Sequence, residues 1–276
     1  MVAALLALLL AAPAHACPPS PGVRASRFTP GEQLRFRLDV LGADVGSFDL
    51  VVETPQGADR GRGALVLRSR AKTSAFVSTN MGRYEAFVAA LVAPDLAPIR
   101  YREEIDEGDT HRTQQVEFPP RDGKLHVAVT KDGQPEPVEL DASPGARDMV
   151  SALYFLRGQP LKTGQPLCAE VYAARRMWRM EGSVGPREQI DTPLGRFAAV
   201  RLDLTAIRAD DPEVRRAAHV WLTDDDRRVP VAVIGDVKGK TIRAQLVEAA
   251  GAGLKTASTR PERKTGAPRV GAAIGR

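Results

Sequence analysis

The sequence predicts a mostly β protein: a single antiparallel, strongly curved sheet, a barrel or half-barrel, with one helix near residues 145–157. Three observations carry this. Apolar and polar residues alternate with period two over many short segments, the signature of half-buried strands. Turn residues separate those segments at regular spacing. Only one stretch has apolar residues at helical spacing, and 24 glycines and 21 prolines in 276 residues favour short elements over long helices.

Residues 1–16, "MVAALLALLLAAPAHA", read as a signal peptide. Val2–Ala12 is too short to span a bilayer, and Ala14-His15-Ala16 has the form of a cleavage site. The chain is therefore expected to be exported and periplasmic, with no transmembrane segment after the signal. Cys17 would then be the first mature residue. Cys17 and Cys168 are the two cysteines. In an oxidising compartment they suggest one disulfide. Cys17 also resembles a lipoprotein acceptor, which would place the chain on the outer membrane, and two unmodified thiols are the third option.

Residues 17–30 form a proline-rich lead-in. A β-rich domain is expected over 31–249. Leu34, Phe36, Leu38 and Val40 alternate with Gln33, Arg35, Arg37 and Asp39, and Phe48, Leu50 and Val52 continue beyond a turn as a hairpin. Gly46 inside the second strand marks a bulge or a close backbone approach. "ALVLRS" follows, and "YEAFVAALV", whose alanines leave it ambiguous with a helix. Two strands flank Glu107-Gly108-Asp109, and a turn lies at Lys131-Asp132-Gly133.

In "SPGARDMVSALYFLRG", Met149, Ala152, Leu153 and Leu156 share a helical face. Ser143 can cap its start and Gly158 close its end. Strand-like segments then resume up to "KTIRAQLVE". Residues 250–276 read as a basic disordered tail. Its Lys255, Arg260, Arg263, Lys264, Arg269 and Arg276 against Glu262 account for the whole net charge of +5. A basic tail on a neutral body is not a nucleic-acid groove, and the aromatics do not alternate with basic residues as a stacking platform does.

"WLTDDDRRVPVAVI", from Trp221, holds the densest charge in the chain. As a calcium loop counted from Asp224 it puts Arg228 at the fifth position, Val229 at the sixth and Gly235 at the twelfth, where oxygen ligands and a glycine belong. A hairpin turn, with Asp224 and Asp226 in structural roles, is the better reading. "VWLTDDDRRVPV" resembles the "W-L-[ST]-x-D-x-R-R-x-P-V" ending of an exported bacterial family, the domain of unknown function numbered 3108. "GEQLRFRLDVLGADVGSFDL", "DMVSALYFLR" and "TPLGRFAAVRL" match its pattern in order, so the resemblance covers about Pro30 to Glu248. It implies a β-rich exported protein without established chemistry. Asp148, with Arg147 and Arg157 around the helix, recurs in that pattern and reads as a cap or ion pair.

No catalytic set stands out. There is no G-x-S-x-G, no phosphate-cradling glycine loop, and no metal spacing among His111, His126 and His219. Glu104 and Asp106 can share a strand face, and a solvated face is the simpler reading. No cofactor, metal or catalytic residue is expected. Two function classes remain. One is an envelope protein binding or carrying an apolar, lipid-like ligand, lined by Phe36, Leu38, Phe48, Leu50, Tyr154, Trp178 and Trp221. The other is a structural or interaction module docking on an envelope partner. A carrier should hold an apolar cavity, and a module a filled interior with exposed apolar side chains. A hydrolase without a recognisable motif ranks third.

Overall fold

The computed structural model describes residues 17–18, 22–237 and 239–254. The expected signal peptide and most of the basic tail lie outside these residues.

Among the described residues sixteen strands form one sheet. They are β1 Gln33–Val40, β2 Ala43–Glu53, β3 Leu65–Thr73, β4 Tyr84–Val92, β5 Pro98–Glu107, β6 Thr110–Glu117, β7 Lys124–Lys131, β8 Gln134–Pro135, β9 Val138–Asp141, β10 Arg147–Asp148, β11 Pro166–Ala173, β12 Arg176–Thr192, β13 Gly195–Arg208, β14 Asp211–Thr223, β15 Pro230–Val237 and β16 Lys240–Ala250. The order runs from β10 through β11 to β16, then β1 through β7 to β8, with β9 also on β7. The first strand is thus joined to the last, Gln33 opposite Ala250. The two ends of the order do not pair, so the sheet is not closed.

Two expectations are corrected. The sheet is mixed, because β10 pairs with β11 in parallel, Asp148 opposite Tyr172. Among the described residues there are two α-helices, α1 Ala75–Met81 and α2 Met149–Gly158. The short α1 buries none of its side chains, so it carries no apolar stripe that a sequence pattern would reveal. Its start is capped by Ser74, whose hydroxyl accepts from the Val77 N–H. The start of α2 also moves. Residues 147–148 are extended, and Asp148, not Ser143, is the cap. Gly158 remains helical, with Gln159 as the C-cap.

The ambiguous "YEAFVAALV" is a strand with Ala86, Val88, Ala90 and Val92 buried and Phe87 exposed. Pairing carries this alternation across the sheet. Leu34 lies opposite Leu50, Leu50 opposite Ser69, and Ser69 opposite Val88. Gly46 makes the expected close approach, since a Cβ there would lie 2.2 Å from the Lys72 carbonyl oxygen. The ladder slips beside it, between Leu38 and Asp39.

Helix α2 lies against the inner face and buries Val150, Ala152, Tyr154, Phe155 and Leu156, while Met149 is exposed. Burial on several sides replaces the single face expected, as befits a helix inside a curved sheet. Val23, Ala25 and Phe28 of the lead-in join the same core as Tyr154, Phe36 and Leu50. A second apolar cluster packs Leu156 and Leu161 on Leu167, Val184, Val200, Leu202 and Leu222. Cys17 and Cys168 form a disulfide, with their Cα atoms 5.4 Å apart, which fastens the lead-in to β11.

Candidate functional site

The inner face of the sheet is occupied by the protein itself. Phe28 meets the Tyr154 ring edge-on at 5.0 Å, and Phe36 and Phe48 lie 6.1 Å apart. Of the seven residues proposed to line a ligand space, Phe36, Leu50, Tyr154 and Trp221 are core, and Phe48 packs on them partly buried. Leu38 is half-buried. Trp178 stands apart, its Nε1 donating to the Ala173 carbonyl at 3.2 Å and its ring under the Arg216 guanidinium. The structure therefore does not gather the seven around one cavity.

Polar residues also face inward. Tyr172 donates to Gln114 Oε1 at 2.6 Å, and Gln114 lies opposite Glu103. Burial pushes the Glu103 carboxyl up against the pull of Tyr101 and Arg112.

A concavity of about 1100 Å³ lies on strands β1 to β7 and β16. Many of the side chains that alternate outward there are charged, beside Val51, Phe87, Ala89, Thr113 and Gln115. Arg35 sits between Asp49 and Glu248, at 2.8 Å from each. Arg68 holds Glu53 at 2.6 Å, and Arg70 pairs with Glu85. Arg100, nearly buried, reaches Asp59 at 2.5 Å, and Arg102 donates to Gln115 Oε1 at 2.8 Å. The Phe87 ring is 40% exposed, with the Arg70 guanidinium 4.8 Å from its centroid. Such a groove offers alternating donors and acceptors and one aromatic face. It suits a polar partner better than an acyl chain. Of the seven lining candidates, only Leu50 touches it.

The groove ends near an imidazole–carboxylate group. Residues 104 and 106 of β5 share its outer face, and His111 of β6 lies opposite Asp106. His111 Nδ1 and Asp106 Oδ1 are 2.8 Å apart. Donor atoms of Glu104, Asp106 and His111 all fall within 4.8 Å of one another. Neighbours two apart on one strand were legible in the sequence. The third donor was not, because it depends on hairpin register.

The aspartate-rich stretch is a turn between β14 and β15, and Asp225 organises it. Asp225 Oδ1 accepts from the Thr223 hydroxyl at 2.8 Å and from the N–H groups of Arg227 and Arg228 at 3.0 and 3.1 Å. Burial opposes the Asp225 charge, but these donors and Arg227 hold its carboxyl below the usual range. Asp224 pairs with Arg187 at 2.9 Å, and the Asp226 carbonyl accepts from Arg27 at 2.8 Å. So the two aspartates named from sequence are flanking contacts, and the middle one is the hub.

Arg157 of α2 braces this turn from beneath. Its side chain is 1% exposed and grips Glu32 with two bonds of 2.7 and 2.9 Å. It also donates to the Arg228 and Arg227 carbonyls at 3.0 and 3.3 Å. Tyr154 donates to Glu32 Oε1 at 3.1 Å, and the guanidinium lies over the Phe28 and Tyr154 rings. Although burial works against the Arg157 charge, Glu32 raises its pKa above the ordinary value. Asp148 caps α2, its Oδ1 accepting from the Val150 and Ser151 N–H groups at 2.9 and 3.0 Å. Complete burial raises its pKa. Asp148 thus caps α2, and Arg157 ties it to Glu32 and to the turn. Glu32 was not singled out beforehand, since a lone acid before an alternating strand gives no local signal of burial.

Residues 35–247 match the family DUF3108, "Protein of unknown function". No curated protein matches the chain. Among solved structures it resembles a beta-barrel-like protein of the domain of unknown function DUF1849 from Brucella abortus. The TM-score is 0.55 at 12% identity, over 80% of this chain and 97% of that one. Two more distant likenesses are a protein described as exported, with a YmcC-like fold, from Bacteroides fragilis, and one described as a lipoprotein from Parabacteroides distasonis. The first has a TM-score of 0.36 at 8% identity, over 83% of this chain and 100% of that one. The second has 0.31 at 8%, over 84% and 100%. The likeness to the Brucella abortus protein is one of fold. None of the described helices is long and apolar enough to cross a membrane.

Proposed function

The chain belongs to the DUF3108 family, and we propose that it is a non-catalytic, exported envelope protein that works as an interaction module rather than as a lipid carrier. One observation carries this reading: the inner face of the sheet is filled by α2 and by Val23, Ala25 and Phe28 of the lead-in. The apolar side chains that would have lined an acyl cavity satisfy one another instead. What faces outward is the charged groove and, at the sheet end bearing the β1–β2 turn and α1, the exposed side chains of Leu41, Phe76 and Met81. Polar alternation beside isolated apolar contacts is the composition of a transient protein–protein surface. The disulfide supports an unlipidated chain, because a Cys17 sulfur bonded to Cys168 is unavailable for a thioether. The matching family and the barrel-like neighbour carry no catalytic description.

The test is mass spectrometry of the protein taken from its own envelope, first native and then denatured. The expected result is equal masses beginning at Cys17, lower by the two hydrogens of the disulfide. A native mass higher by a lipid-sized increment would restore the carrier. An acylated Cys17 would replace the disulfide with a membrane anchor.

A further inference from the structure

We propose that Glu104, Asp106 and His111 form a surface site for a divalent transition-metal ion of the zinc type. The β5–β6 hairpin builds the site. Residues two apart on β5 point the same way, and the register sets His111 beside Asp106. The hairpin turns at Gly108, whose φ of +60° suits glycine. Around zinc at the usual bond lengths, tetrahedral donors lie about 3.3–3.6 Å apart. These three are already within 4.8 Å. Glu104 and His111 are exposed and Asp106 half-buried, so small rotamer changes close the remaining distance. One imidazole and two carboxylates form a mixed nitrogen–oxygen set. It favours zinc, or manganese and cobalt, over calcium or copper(I). Three protein donors leave a position open toward the groove that Glu104 lines.

Two contrasts within the molecule separate this group from an ordinary surface pair. Three histidine–carboxylate pairs occur among the described residues: His111–Asp106 at 2.8 Å, His126–Glu139 at 3.1 Å and His219–Asp203 at 2.6 Å. Only the first has a third donor within reach. Asp203 is instead held by Arg201 at 2.8 Å, a cation where a metal would have to sit. The second contrast is Glu104. The carboxylates around it on the outer face, Asp49, Glu53, Glu85 and Glu248, are each matched to an arginine. The Glu104 carboxylate, by contrast, is in no hydrogen bond or ion pair among the described residues. Arg83, the cation near Asp106, is engaged by Glu85 at 2.8 Å.

The experiment is calorimetric titration of zinc chloride into the full, metal-stripped chain, without a histidine tag and with its disulfide closed. The imidazole resonances are followed by NMR alongside. One ion per chain is expected, with the His111 ring signals moving. His111→Ala and Glu104→Gln should each weaken binding at least about tenfold. His126→Ala and His219→Ala should leave it unchanged. Thermal melts establish that each variant folds. No heat and no His111 shift at high zinc would overturn the proposal. So would equal affinity in His111→Ala and Glu104→Gln, or a loss in His126→Ala or His219→Ala.

Discussion

A buried arginine is tolerated where its charge is paired and its donors are engaged, and Arg157 makes four such bonds, to one carboxylate and two carbonyls. Removing either ion alone leaves the other buried and unpaired. Arg157→Met and Glu32→Gln should therefore each cost about 3–5 kcal/mol. The double variant Glu32→Leu/Arg157→Met should cost clearly less than the sum, as read from urea unfolding. Additive losses would mean that the two do not act as a pair. Asp39 gives the pH dependence at this scale. Burial opposes its charge, but Arg243 at 2.9 Å and the Gly42 N–H outweigh that, so its pKa falls below the ordinary 3.8. A depressed carboxyl stabilises the fold above its unfolded pKa and loses that contribution as pH drops through its folded value. Asp39→Asn should thus be less stable than the parent at neutral pH. Its deficit should shrink as pH falls below the ordinary 3.8 and through the lowered folded value. A deficit independent of pH would point to packing instead.

At the scale of elements, legibility followed periodicity. Strands such as β1 alternate cleanly and were readable. The helix α2 was readable by spacing, but its start was misplaced. "SPGARD" offers two capping residues, and only the pairing of 147–148 with β11 decides for the second. Helix α1 was invisible because none of its residues is buried. Phe76→Ser and Met81→Ser should accordingly shift stability by no more than about 0.5 kcal/mol, by thermal melt. A larger loss would show that the helix packs more than its exposure implies. Gly158, expected to end α2, matters for another reason. A Cβ there would lie 2.0 Å from Val23 Cγ1. Gly158→Ala should cost about 1–3 kcal/mol, and Val23→Ala in the same chain should recover part of it. No recovery would place the strain elsewhere. The imidazole–carboxylate group and Glu32 were beyond sequence reading for one shared reason. Each depends on which residues two separate segments bring opposite one another.

For the whole molecule, curvature was foreseeable from many short strands, but the filled interior was not. Alternation shows that one face is apolar and is silent on what covers it. The covering is α2 and a lead-in that reads as a linker by composition. The disulfide spans 151 residues of sequence. In the chain-entropy account, closing so long a loop is worth up to about 5 kcal/mol. The double variant Cys17→Ser/Cys168→Ser should melt well below the oxidised parent and coincide with the parent in reductant. Equal melting of all three would mean that the bridge constrains little.

The pairing of β1 with β16 carries a consequence in time. Gln33 must find Ala250 to complete its ladder, and Glu32 must wait for a turn near residue 227 before Arg157 is fully engaged. A chain delivered from its N-terminus at the usual rate of synthesis brings that last strand about 10–40 s after the first. Through that interval β1 has a partner on one edge only, β2, and its other edge is unpaired. The order of delivery thus works against the order of assembly, and the fold can close only when nearly all of it has arrived.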